Sequence, residues 1–246
     1  MSIHPCCLKT FKWDGVPAGR IGKLANNQAY IAGDNPNVAI LLIHDLGSWE
    51  FVNLRLLADH YAREADATVY MPDFFGGETL PLEPILKSRW NEIDLAGFSA
   101  KNSRQIREPE IFECARALRS QYGKVGAIGF CFGGWAVFRL GAKEHNPPLV
   151  DCISTGHPTW LTKEDIDGVS VPVQLLAPEV DIPFSPELKQ YAFETLIKNR
   201  ILFDYQHFPG VEHACFTRGD EEVKGEREAM EHGKAAAVAW FWRFLH

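Results

Sequence analysis

A thiol flanked by glycines, a carboxylate and an imidazole occur in this sequence in an order that suits acyl transfer. Gly129-Phe130-Cys131-Phe132-Gly133-Gly134 ends the apolar run 125–130 and precedes a helical pattern over 135–143. A sharp strand-to-helix turn leaves its central residue strained and exposed, and glycines on either side remove side chains that would collide there. Cys131 is therefore a candidate nucleophile. The first amides of the following helix point at it. The Phe132 N–H can stabilise an oxyanion, and the positive helix end favours a thiolate. A small buried cysteine in a Gly-rich turn is the bland alternative, and the strand and helix on its two sides weigh against it.

A thiol of this kind needs a base, and the base needs an orienting acid. Asp181 follows the apolar run 171–177, and His213 follows the run 201–207 in Phe208-Pro209-Gly210-Val211-Glu212-His213. Nucleophile, acid, histidine is one of the chain orders that triads adopt. Taken singly, Asp181 reads as a turn or capping residue near Pro183 and Pro186, and His213 as one of nine histidines. Together with Cys131 they form a candidate triad. A second oxyanion amide should come from the loop after the run 38–44, in His44-Asp45-Leu46-Gly47, and by position it is the Leu46 N–H. Asp45 lies beside it. A carboxylate there would raise the thiol pKa by like-charge repulsion or accept its proton. A polar turn closing a strand is the equal alternative.

These residues need elements to hold them. The run 38–44 is almost wholly apolar, as expected of a strand covered on both faces. Ser48 is placed to cap a helix carrying Leu54, Leu57 and Tyr61 at helical spacing. Further strands are expected at 67–71, 125–130, 149–155, 171–177 and 201–207. Helices are expected at about 109–121 and 185–199. The tail sets Val238, Phe241, Trp242 and Leu245 on one helical face, an aromatic surface that could support a homodimer. Such alternation implies an α/β fold, a mostly parallel sheet with helices on both faces, whose ligands bind beyond the carboxyl ends of the strands. Residues 10–35 read as an N-terminal β-hairpin, and 74–108 as a lid or substrate-binding segment.

Composition narrows the function further. At 246 residues with 46% apolar content, the chain can bury about 70% of its surface in one larger domain, 1–246, without disulfides or metals. A net charge of −7 repels phosphate backbones, so nucleic acid is not an expected partner. The longest apolar stretches, 38–43 and 235–242, fall far short of a membrane span. MSIHPCCLKTFKW lacks the apolar region of a secretion signal, so the expectation is a cytoplasmic protein with free thiols. There is no HExxH, no paired CxxC and no P-loop, and Cys6-Cys7 lack zinc-ligand spacing, so no metal or organic cofactor is expected.

GFCFGG, the acid in PEVD, and FPGVEH followed by Arg218-Gly219-Asp220 resemble the dienelactone hydrolase family of α/β-hydrolases. VYMPDFFGGE, IHDLGSWEFVNLRLLADHYA and FKWDG resemble its fungal branch, and the likeness runs from about residue 6 to the C-terminus. The resemblance implies a Cys131–His213–Asp181 triad that hydrolyses an activated ester or enol-lactone through a cysteine thioester. It implies a small-molecule substrate bearing a carboxylate held by arginine. Arg218 falls in the matching motif, while Arg89, Arg104 and Arg107 lie in the lid segment. It also implies an acidic residue that keeps the resting cysteine protonated. Bacterial members use glutamate; Asp45 stands here, one methylene shorter. After His213, Ala214 and Cys215 precede Phe216, which could place a second thiol near the site. Two other readings remain. A class I glutaminase would carry glutamate two residues after its histidine, where Cys215 stands. A non-hydrolytic binding protein, cyclase or isomerase would keep the fold without the reaction.

Overall fold

The computed structural model describes residues 5–8, 10–87 and 89–246. Eight strands form one sheet: β1 (Arg20–Leu24), β2 (Asn27–Ala32), β3 (Val38–Ile43), β4 (Thr68–Pro72), β5 (Lys124–Phe130), β6 (Cys152–Gly156), β7 (Val173–Val180) and β8 (Phe203–Glu212). Their spatial order is β1-β2-β4-β3-β5-β6-β7-β8. The β1–β2 hairpin and the β2–β4 pair are antiparallel, and the remaining pairs are parallel. This is the α/β-hydrolase arrangement, with the expected N-terminal hairpin at one edge.

Every residue of β3 is buried because both faces of the sheet are covered. Ala39, Leu41 and Ile43 join one core layer, and Val38, Ile40 and Leu42 the other, as the period of two requires. The helices α4 (Arg104–Arg119), α5 (Gly133–Leu140) and α7 (Pro186–Lys198) supply the first layer, and α1 (Val52–Glu64) and α9 (Lys224–Leu245) the second. Helix α5 begins directly behind the end of β5. It follows a strand flanked by β3 and β6, so the candidate nucleophile sits mid-sheet.

Several local expectations are corrected. Ser48 caps no helix: its φ is +69°, and the 3.1 Å bond from its N–H to the Asp45 carbonyl closes a turn first. Helix α1 therefore starts only at Val52. Strand β8 runs on to Glu212 because a register shift between Pro178 and Val180 lets it keep pairing with β7. Helix α4 starts at Arg104 after Ser103, with Pro109 inside it. On α9 the buried face holds Gly233, Ala237, Trp240, Phe241 and Leu245. Trp242 turns outward, and its indole N–H donates to the Glu64 carbonyl at 2.7 Å. Residues 74–108, read from sequence as a lid or substrate-binding segment, contain α2 (Leu82–Leu86), a 3₁₀ turn (Trp90–Glu92), α3 (Leu95–Lys101) and the start of α4. The arginines of this segment are bound internally. Arg89 pairs with Glu83 and Glu92, Arg104 makes two bonds to Asp165, and Arg107 bonds to Asn102 and Glu110. No helix among the described residues is long and apolar enough to cross a membrane.

The bend after β5 leaves no room at Gly129. A Cβ there would stand 2.1 Å from the Gly133 carbonyl oxygen, a backbone atom fixed by α5. Gly129→Ala should therefore lower stability by about 3 kcal/mol or more, read as a fall in the urea midpoint. An unchanged midpoint would show that the bend is not close-packed.

Candidate active site

Cys131 follows β5 directly and takes φ = +48°, a left-handed conformation that is strained for a residue with a Cβ. Three contacts over-determine it. Its N–H donates to the Gly156 carbonyl at 3.2 Å, and its carbonyl accepts from the N–H groups of Gly134 at 2.9 Å and Thr159 at 2.8 Å. Close packing does the rest. A Cβ on Gly133 would meet the Ile43 carbonyl oxygen at 2.3 Å, and one on Gly134 would meet Pro158 at the same distance. The elbow is thus wedged between the ends of β3 and β6.

His213 lies one residue beyond β8, and its N–H donates to the Val180 carbonyl at 2.9 Å. Its Nδ1 is 2.9 Å from Asp181 Oδ1, with both side chains fully buried. Asp181 Oδ1 also accepts from the Phe184 N–H at 3.0 Å. A ring nitrogen of His213, Cys131 Sγ and Cys7 Sγ all lie within 4.8 Å of one another. Since Nδ1 is committed to Asp181, Nε2 is the atom left for the sulfurs, and it is buried without a well-formed hydrogen bond. Thr159 Oγ1 stands 3.3 Å from Cys131 Sγ and 3.7 Å from Cys7 Sγ.

Burial pushes the Cys131 thiol well above its ordinary pKa, and the neighbouring Cys7 adds to this, so the resting sulfur is protonated. For His213, burial works against the imidazolium, but the charge of an ionised Cys131 and the Asp181 hydrogen bond outweigh it and raise its pKa. That raising charge exists only once the sulfur has ionised, so it does not act while the thiol is intact. Because only the thiolate is nucleophilic, alkylation of resting Cys131 by iodoacetamide should keep accelerating as pH rises past the ordinary thiol value of about 8.5. A rate already independent of pH at neutrality would contradict this.

Asp45 and Arg218 form a second buried centre. Asp45 Oδ2 accepts from Arg218 Nε and from Thr217 Oγ1, each at 2.7 Å, and Oδ1 accepts from the Gly47 N–H at 2.7 Å. Arg218 Nη1 donates to Thr10 Oγ1 at 3.1 Å, while Nη2 is buried without a partner. Leu46 and Phe132, with Cys7, Cys131, Thr159 and Trp160, line a cavity of about 10 Å³. That is room for one water. The N-terminal segment closes it: Cys7 and Leu8 have no exposed surface, and the Phe11 N–H is anchored 3.0 Å from the Arg218 carbonyl.

Three residues at this site escaped sequence reasoning. Thr159 and His157 follow β6 at the carboxyl edge, and that position was their available signal. His157 has φ = +39°, and its ring centroid is 4.8 Å from that of His213. Burial holds its pKa well below the ordinary value, and the nearby charges of His213 and Arg218 add to this. Cys7 carried no signal, because its neighbours are remote in sequence. Cys215 is buried in the layer with Phe130 and Phe216.

Residues 28–245 match the family model described as the dienelactone hydrolase family. The chain is similar to the hydrolase tropI of Talaromyces stipitatus, at 26% identity over 98% of this chain and 96% of that one. It is 30% identical to the carboxymethylenebutenolidase homolog of Homo sapiens, over 92% and 91% of the two chains. The solved structure of carboxyl esterase 2 from Tuber melanosporum shares the fold with a TM-score of 0.67 at 12% identity, covering 97% of this chain and 91% of that one. With an elbow, a buried acid–imidazole pair and this match over most of its length, the chain belongs to the dienelactone hydrolase family of α/β-hydrolases.

Proposed function

We propose that this hydrolase cleaves activated esters or enol-lactones through a thioester on Cys131. One observation carries the reading. A thiol held at φ = +48° shares a cluster within 4.8 Å with an imidazole whose other nitrogen is anchored 2.9 Å from a buried carboxylate. His213 takes the Cys131 proton as the sulfur attacks the carbonyl carbon. The N–H groups of Phe132 and Leu46, two residues lining the cavity above the sulfur, stabilise the oxyanion, each by about 3 kcal/mol as in other acyl-transfer sites. The alkoxide or enolate leaves with the proton that His213 took from Cys131. The neutral imidazole then takes a proton from water as the oxygen attacks the thioester carbonyl and returns it to the departing Cys131 sulfur, with Asp181 stabilising the imidazolium each time it forms. Arg218 has a buried arm without a partner, which suits a substrate carboxylate. An anion that drew Arg218 away would leave Asp45 free to influence the thiol. A cavity of about 10 Å³ admits no lactone, so substrate entry requires its lining to open.

A panel of enol-lactones, aryl esters and acyl thioesters, with acid quenching and mass spectrometry, tests this. Turnover of at least one class is expected, with an acyl adduct on the peptide containing Cys131. Absence of both turnover and adduct across the panel would favour a non-hydrolytic binding protein, cyclase or isomerase.

A further inference from the structure

The hydrolytic mechanism uses Cys131 and His213 but has no task for Cys7. Yet Cys7 Sγ, Cys131 Sγ and a His213 ring nitrogen converge within 4.8 Å, all buried. We propose that these three side chains form a binding site for a thiophilic divalent cation, with Zn²⁺ as the probe, and that its occupation blocks the nucleophile. The inhibition half rests on the hydrolase reading above; the binding half rests on the geometry alone.

The donor set is two thiols and an imidazole, which suits zinc and its soft relatives rather than magnesium or calcium. Tetrahedral zinc, with bonds of about 2.3 Å to sulfur and 2.0 Å to nitrogen, sets its donors roughly 3.5–3.8 Å apart. Small side-chain rotations close the difference from the observed cluster. His213 is already oriented as a ligand. Nδ1 is held by Asp181 at 2.9 Å, which fixes the tautomer that leaves the Nε2 lone pair for a metal. That Nε2 is buried and otherwise unpartnered. The cavity of about 10 Å³ above the sulfurs accommodates one water as fourth ligand. Thr159 Oγ1, 3.3 Å from Cys131 Sγ, stands beside it.

The charges balance. Binding converts two thiols to thiolates and releases two protons to solvent, so the cation with its two sulfurs is neutral overall. A neutral unit suits a buried position. The bond to Cys7 would also tie the N-terminal segment across the site, and both effects oppose hydrolysis.

The test uses the reduced full-length protein. Zn²⁺ is titrated against a competing chelator, the metal content is measured after gel filtration, and Co²⁺ serves as spectroscopic reporter. One Zn²⁺ per chain is expected, with two protons released and a thiolate-to-Co²⁺ charge-transfer band. Cys7→Ser and Cys131→Ala should each weaken binding by more than about 100-fold, whereas Cys114→Ser, at a buried thiol elsewhere, should not. If either site variant fails to fold, the wild type decides: Zn²⁺ should protect both Cys7 and Cys131 from maleimide labelling, mapped by peptide mass spectrometry. Binding unchanged in Cys7→Ser, or no protection of Cys7, would overturn the proposal. Ester hydrolysis is assayed separately in metal-free protein. Zinc binding without any hydrolysis would therefore sink the proposed function and leave the site standing.

Discussion

Cys131→Ala is expected to reduce hydrolysis of the best ester or lactone substrate by roughly 10⁴- to 10⁶-fold. In the proposed mechanism this sulfur forms the covalent bond, and the nearby Cys7 thiol hangs on the N-terminal segment rather than at the elbow. Thr159 is near enough, at 3.3 Å, but its hydroxyl belongs to a different backbone position and does not sit at the elbow. The Phe132 and Leu46 amides and the binding surface survive the change, so a small residual rate should persist. Asp181→Asn should lose about 10⁴-fold. An amide can present its NH₂ to His213 Nδ1, which would place the ring proton on Nε2, the atom that must instead accept one. Steady-state rates on the same substrate, with melting curves showing both variants folded, provide the measurement. A Cys131→Ala enzyme within tenfold of wild type would remove the nucleophile from Cys131.

The second large effect concerns stability. Asp45→Ala should destabilise the protein by about 3–5 kcal/mol, because it leaves the Arg218 guanidinium buried without its counter-charge. Arg218 is 2% exposed and Asp45 fully buried, so water cannot replace the lost carboxylate. Asp45 Oδ2 also accepts from Thr217, and Oδ1 from the Gly47 N–H, so the substitution strands the Gly47 N–H and leaves Thr217 only its 3.4 Å bond to the Ala214 carbonyl. Asp45→Asn keeps acceptor capacity and should lose less. Replacing both partners together, Asp45→Leu with Arg218→Met, should restore much of the loss, since a buried ion pair is itself a weak source of stability. Urea unfolding of the four proteins gives the answer. A single-variant loss below about 1 kcal/mol would mean that solvent reaches Arg218 readily.

The core strands, most of the helices and the order of the three candidate triad residues were legible in the chain, but the site was legible only in part. The strand 38–44 is apparent because both its faces are apolar, and β3 ends within a residue of that expectation. The end of β8 was not apparent. Pro209 and Gly210 look like a stop, yet β7 continues alongside and accepts the extension through a shifted register. The helical period sets Trp242 on one face with Val238, Phe241 and Leu245, of which Phe241 and Leu245 are buried and Trp242 is not. The indole instead found a carbonyl of α1 to bond, because Trp240 and Phe241 already fill the interior.

What the amino-acid order determined by itself is what local sterics and periodicity encode: a period of two or 3.6 sets each element, and glycines at fixed offsets permit only one kind of bend around Cys131. The tertiary structure alone decided the company those residues keep. Nothing near Cys7 in sequence announces that it will lie beside Cys131, and nothing near Asp45 announces Arg218. Both meetings depend on where aperiodic segments settle over the sheet edge, which is fixed by packing and by the pairing of buried charge across the whole molecule rather than by any nearby residue.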